Sequence, residues 1–164
     1  MKRTESTVAK GRISGEQKEM LKVLSEGKTL KDVLDLTEED LNALMFAGYE
    51  LFNQGNYDDS QVIFKGLEAL GHSDPFISTA LGTLAAREDD LETAETYFNN
   101  AIETDPEDVV ALTNRAELYL KRNQFQQAAE DLQRAIELDA EESSALGSRA
   151  RVLAMVTHEL MESI

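Results

Sequence analysis

The pentapeptide Ala-Ile-Glu-Thr-Asp at residues 101–105 returns as Ala-Ile-Glu-Leu-Asp at 135–139, 34 positions on. The same interval links Gly55-Asn56-Tyr57, Asp89-Asp90-Leu91 and Asn123-Gln124-Phe125. It also links Ser60, Ala94 and Ala128, then Phe64, Phe98 and Leu132. Small and large residues recur together, so the period is structural rather than compositional. A unit this short cannot bury its own apolar side, and several must stack. The repeat therefore excludes most globular folds before any other property is weighed.

Thirty-four residues is the period of the tetratricopeptide repeat (TPR), a pair of antiparallel helices, A then B. The spacing predicts an all-α fold: three TPR helix pairs in tandem, residues 41–74, 75–108 and 109–142, in a right-handed superhelix. Small residues belong where helices cross closely: Gly48, Gly82 and Ala116 on the A helices, Ser60, Ala94 and Ala128 on the B helices. Leu51, Tyr119, Phe64, Phe98 and Leu132 fill the space between. Polar stretches at 54–56, 88–90 and 122–124 suit the A–B turns. Asp74-Pro75 suits a helix start.

Flanking segments complete the layout. Residues 1–15 read as a disordered tail and 16–40 as a helical segment. Met20, Leu21 and Leu24 form an apolar side there, a candidate surface for self-association. Thr37-Glu38-Glu39-Asp40 resembles a capping box ahead of the first A helix. Residues 143–164 read as a capping helix, with Leu146, Arg149, Leu153, Val156 and Leu160 facing the last repeat.

Charge narrows the partners. The chain of 164 residues has 32 Asp and Glu against 16 Lys and Arg, a net −16. Residues 1–31 balance at +4, the rest at −20. Such a body repels phosphate backbones and anionic lipids, which argues against nucleic-acid binding and stable membrane insertion. The start lacks the apolar core of a signal peptide, and no window approaches a bilayer span. A cytoplasmic protein is expected, and the lack of cysteine agrees with a reducing compartment.

Catalysis finds no support. His72 falls in a loop between repeats. His158-Glu159 starts like a zinc-binding helix, but Glu162 stands where a second histidine is needed. No phosphate-binding glycine loop is present. The acidic turn at 105–108 lacks the glycine and terminal glutamate of a calcium loop. No catalytic residue, metal or cofactor is expected.

In a TPR stack the A helices line the concave side. The predicted groove residues are Met45, Tyr49 and Phe52 in the first repeat, Phe76, Thr79 and Thr83 in the second, and Val110 and Thr113 in the third. Clustered apolar side chains in a concavity suit peptide binding, with threonine hydroxyls free to meet a guest backbone. The protein's own N-terminal helix or a second copy is the alternative cover. Co-chaperone adaptors of this fold grip a C-terminal carboxylate with Lys, Asn and Arg. The matching sites here include Met45, Tyr49, Thr79 and Val110, so apolar recognition is favoured.

Residues 26–33 (Glu-Gly-Lys-Thr-Leu-Lys-Asp-Val), Ala47-Gly48-Tyr49 through Gly55-Asn56-Tyr57, Phe64-Lys65-Gly66-Leu67 and Asp74-Pro75-Phe76 go further. Over about residues 20–160 the chain resembles the class II chaperones of type III secretion systems, the SycD/LcrH-like family. The resemblance implies a cytoplasmic chaperone that holds hydrophobic, secreted translocator proteins before export. It implies a groove for an extended translocator segment, lined by first-repeat aromatics, with Tyr57 and Phe64 joining Met45, Tyr49 and Phe52. It also implies dimerisation through the N-terminal helical segment. Met45 stands where the family commonly has an aromatic, and the junction at 105–112 lacks the family's proline-rich run. A generic TPR adaptor or assembly scaffold without an export client is the rival reading.

Overall fold

The computed structural model of the protein describes residues 22, 30–72, 74–139 and 145–163. Met20, Leu21 and Leu24, and the tail at 1–15, lie outside the described residues. Among the described residues are eight helices and no strand. They are α1 (Leu30–Val33), α2 (Glu38–Asn53), α3 (Tyr57–Ala69), α4 (Pro75–Arg87), α5 (Leu91–Thr104), α6 (Val109–Lys121), α7 (Phe125–Leu138) and α8 (Ala145–Glu162). Helices α2 and α3, α4 and α5, and α6 and α7 are the A and B partners of three TPR pairs. The last helix packs on α7 and α6.

Side chains at the helix starts explain why the elements begin where they do. Thr37 and Asp40 form a reciprocal capping box on α2. Asp74, Asp90 and Asp108 each accept a backbone N–H in the first turn of α4, α5 and α6, and Pro75 fills the first turn of α4. These contacts satisfy N–H groups that have no partner within the helix.

The A–B turns repeat one solution. Gly55, Asp89 and Asn123, 34 residues apart, take φ of 81°, 62° and 57°. Glycine, and to a lesser degree Asn and Asp, adopts this left-handed backbone most readily. The following N–H of Asn56, Asp90 and Gln124 reaches back five residues to the carbonyls of Leu51, Ala85 and Tyr119, at 2.9, 3.0 and 2.8 Å. That is the six-to-one bond of a Schellman closure.

Helix crossings follow the small residues. Gly48, Gly82, Ala116, Ser60, Ala94 and Ala128 are all buried, and the Ser60 hydroxyl donates to the Gly48 carbonyl at 2.9 Å. A Cβ on Gly82 would lie 2.7 Å from the Phe98 ring. The core forms three clusters in series: one around Leu41, Phe64, Leu67 and Leu81, one around Ala94, Phe98 and Leu118, one around Leu112, Leu132 and Ala150.

The packing face of α8 differs in part from expectation. Leu153 packs on the core of the last repeat and Arg149 bonds to α6, as expected, but Val156 and Leu160 are exposed, while Gly147, Ala150 and Thr157 are buried. Ala150 continues the series 48, 82, 116 by one more period, so α8 sits as the A helix of a fourth, half repeat. Small residues win the contact because they let the backbones approach, whereas Val156 and Leu160 would hold them apart. An added Cβ on Gly147 would stand 1.7 Å from the Asp139 carboxylate.

One buried ion pair ties the third repeat together. Arg115 on α6 donates through Nε and Nη2 to both Asp131 oxygens on α7, at 2.7 and 2.6 Å, and through Nη1 to Asn99 on α5 at 2.7 Å. The Asp131 bond raises the Arg115 pKa further above its ordinary value. Nearby, burial raises the Tyr119 phenol.

Candidate functional site

Three adjoining recesses run along the A-helix side. The central one, about 450 Å3, is lined by Tyr49, Phe52, Asn53, Phe64, Phe76, Thr79, Ala80, Thr83, Val110, Asn114 and Arg149. A second, about 490 Å3, shares Phe52, Thr83, Asn114 and Arg149 and continues over Tyr57, Arg87, Glu117 and Lys121. A third, about 420 Å3, shares Tyr49 and Phe76 and opens past Asn42, Met45 and Phe46. Shared walls make the three one continuous trough.

Aromatic contacts stiffen its walls. The Tyr49 and Phe76 rings lie 5.7 Å apart, and Phe76 meets Phe64 edge-on at 5.9 Å. Phe52 and Tyr57 pack at 5.4 Å, and the Arg87 guanidinium covers the Tyr57 ring at 3.7 Å. Tyr49 and Phe76 remain 43% and 38% exposed, and Phe46 is 65% exposed. Leaving such side chains wet forgoes roughly 1.5–3 kcal/mol for each one that burial would gain. Rings held by their neighbours present that area with little freedom left to lose.

The predicted site residues thus divide. Tyr49, Phe52, Phe76, Thr83 and Val110 border the central recess, Met45 the outer one and Tyr57 the second. Phe64 is fully buried and serves as the wall behind Phe76. Thr79 is 5% exposed, and Thr113, fully buried, borders none of the three recesses.

The expectation of free threonine hydroxyls needs correction. Thr79 donates to Asp108 at 2.7 Å, Thr83 to the Thr79 carbonyl at 2.8 Å and Thr113 to the Val109 carbonyl at 2.7 Å. A helical threonine bonds readily to the carbonyl four residues back, which spacing in sequence does not reveal. The Thr83 oxygen also accepts from Asn114 at 3.1 Å.

Asn114 and Arg149 were not among the predicted groove residues. Arg149 reaches from α8 to Glu117 through Nε at 2.9 Å and Nη2 at 2.6 Å, and to Asn114 at 3.1 Å. The signal that could have found it is the 34-residue interval from Ala116 to Ala150, which makes α8 a fourth groove-lining helix. Among the described residues no group of three His, Cys, Asp or Glu is placed to hold a metal. No described helix is long and apolar enough to cross a membrane.

Comparison with known proteins agrees with this architecture. A tetratricopeptide-repeat family profile matches residues 81–157. Hsp70-Hsp90 organizing protein 1 of Arabidopsis thaliana is 40% identical over 73 residues, 44% of this chain but 13% of that protein. The chain therefore spans a small fraction of the curated relatives it matches. PcrH of Pseudomonas aeruginosa superposes with a TM-score of 0.68 at 25% identity, over 75% of this chain and 95% of PcrH. PcrH in complex with the chaperone binding region of PopD gives 0.69 at 25%, over 76% and 95%. The translocator chaperone SycD of Yersinia enterocolitica shares the fold, with a TM-score of 0.71 at 21% identity over 79% and 90%. The resemblance to class II type III secretion chaperones read from the sequence is borne out in the fold: this chain is an all-α TPR protein that superposes on them.

Proposed function

We propose that this chain, akin to the class II type III secretion chaperones, works as one. It holds an extended apolar segment of a secreted translocator protein in its concave trough and keeps that protein soluble in the cytoplasm until export. The observation that carries this reading is the trough itself, three connected recesses with Tyr49, Phe76 and Phe46 left wet along them. Adjoining pockets fit spaced side chains of one extended segment better than a globular partner. The likeness to PcrH bound to a chaperone binding region supports the same reading. A net charge of −16 keeps a chaperone soluble while a sticky guest is held. Binding, not catalysis, is the proposed activity, and homodimerisation through Met20, Leu21 and Leu24 is proposed with it.

The 40% identity to an Hsp70-Hsp90 organizing protein favours a second reading, a TPR adaptor without an export client. Co-expression in the source organism with a purification tag, followed by mass spectrometry, separates the two. The chaperone reading expects a membrane-inserting secreted protein to co-purify with the wild type and to be lost from Tyr49→Ala/Phe52→Ala at unchanged helicity. Equal recovery by both, or recovery of a heat-shock protein instead, contradicts it.

A further inference from the structure

Two cations in the second recess lack the partners that others in the chain have. Arg115, Arg122, Arg149 and Arg151 each face a carboxylate, as expected where acids outnumber bases two to one. Arg87 and Lys121 have no ion-pair partner among the described residues; Lys65 and Arg134 have none either, but of these only Arg87 and Lys121 line this recess. They stand at the same repeat position, one period apart, in the last turns of α4 and α6. A helix end favours a cation, but that alone does not direct both into one concavity. Arg87 lies flat on Tyr57 at 3.7 Å. Stacking engages the guanidinium face and leaves its N–H rim for an acceptor. Among the described residues the only carboxylate lining this recess, Glu117, is already engaged by Arg149. An acidic protein thus presents a locally positive pocket beside its apolar one.

We propose that this recess receives an Asp or Glu side chain of the same extended guest whose apolar side chain fills the central recess. The inference rests on the groove reading above. Phe52, Thr83, Asn114 and Arg149 border both recesses, so neighbouring residues of one segment enter both. The acidic body repels a carboxylate elsewhere and favours it here, which fixes the register of the guest as well as its affinity. Recognition is of a side chain within the segment, not of a chain terminus.

The test uses an array of C-terminally amidated peptides of about ten residues, with Leu, Val and Pro at varied spacing and Glu or Gln at each remaining position. The best matched Glu and Gln pair is then titrated in solution at low and high salt. The Glu member is expected to bind roughly five-fold tighter or more at low salt, with the advantage fading at high salt. Arg87→Gln/Lys121→Gln is expected to bring the Glu-to-Gln ratio close to one, while Lys65→Gln leaves it unchanged. Equal binding of the two peptides by the wild type, or an unchanged ratio in the double variant, overturns the inference and leaves the groove reading standing. An advantage found only with a free C-terminal acid also overturns it, in favour of the adaptor. Failure of every peptide to bind, or binding indifferent to Tyr49→Ala/Phe52→Ala, overturns the groove reading and this inference with it.

Discussion

Gly66, Gly48 and Gly82 lie inside helices at graded distances from their neighbours, and replacing each with alanine should grade stability in the same order. A Cβ at Gly66 on α3 meets nothing within 4 Å. There the change adds only helix propensity, a gain of about 0.5–1 kcal/mol. At Gly48 the Cβ would meet Phe64 at 3.1 Å and Ile63 at 3.2 Å. At Gly82 it would stand 2.7 Å from two atoms of the Phe98 ring. Phe98 is fully buried and cannot swing aside into solvent. Overpacking of that kind costs about 1–3 kcal/mol, which outweighs the propensity gain and leaves Gly82→Ala destabilised by about 1 kcal/mol. For a chain of 164 residues, each 1 kcal/mol moves Tm by about 2–4 °C. Thermal unfolding followed by circular dichroism should therefore place Gly66→Ala above wild type, Gly48→Ala near it and Gly82→Ala below it. In a Phe98→Leu background the cost of Gly82→Ala should shrink, because the clashing ring edge is gone. A Gly82→Ala protein as stabilised as Gly66→Ala would refute the close-crossing argument, and an unchanged cost in the Phe98→Leu background would refute the assignment to that ring.

The Arg115–Asp131 pair and the capping carboxylates give two more expectations. Asp131→Ala leaves Arg115 largely buried and unpaired, so stability should fall by roughly 3 kcal/mol, the low end for a broken buried pair because both side chains retain some exposure. Denaturant unfolding checks this, and a change within experimental scatter would show the pair to be dispensable. Hydrogen bonds from Thr93 hold the Asp90 carboxyl below its ordinary value. A depressed folded pKa contributes stability that is present above the unfolded value, about 3.9, and is lost as pH falls through the folded one. The Tm gap between wild type and Asp90→Ala should accordingly close as pH is lowered from about 5 toward 3, and a constant gap would contradict the assignment.

The repeat exposed the helix pairs because close crossings tolerate only small side chains, and Gly48, Gly82 and Ala116 recur at the crossing position. The turn chemistry was legible for a related reason: Gly55, Asp89 and Asn123 are residues that accept positive φ. The concave face could be read from periodicity too, down to Tyr49, Phe52, Phe76 and Val110. Depth within that face could not be. Phe64 and Thr113 share the surroundings of groove residues, yet inter-repeat packing buries them completely. The threonine hydroxyls found acceptors within their own or a neighbouring helix, a rotamer choice that a one-dimensional pattern does not encode. The face of α8 departs from the pattern at Val156 and Leu160, because Gly147 and Ala150 set the contact there.

Photocrosslinking tests the binding trough most directly. Tyr49→p-benzoylphenylalanine places the reactive ring at the junction of the outer and central recesses. Val62→p-benzoylphenylalanine places it on α3, exposed and bordering none of the three. With a translocator co-expressed in the same cells, irradiation is expected to join it to the protein from position 49 and not from position 62. Crosslinks from position 62 alone, or equal yields from both, would place the guest elsewhere and contradict the account.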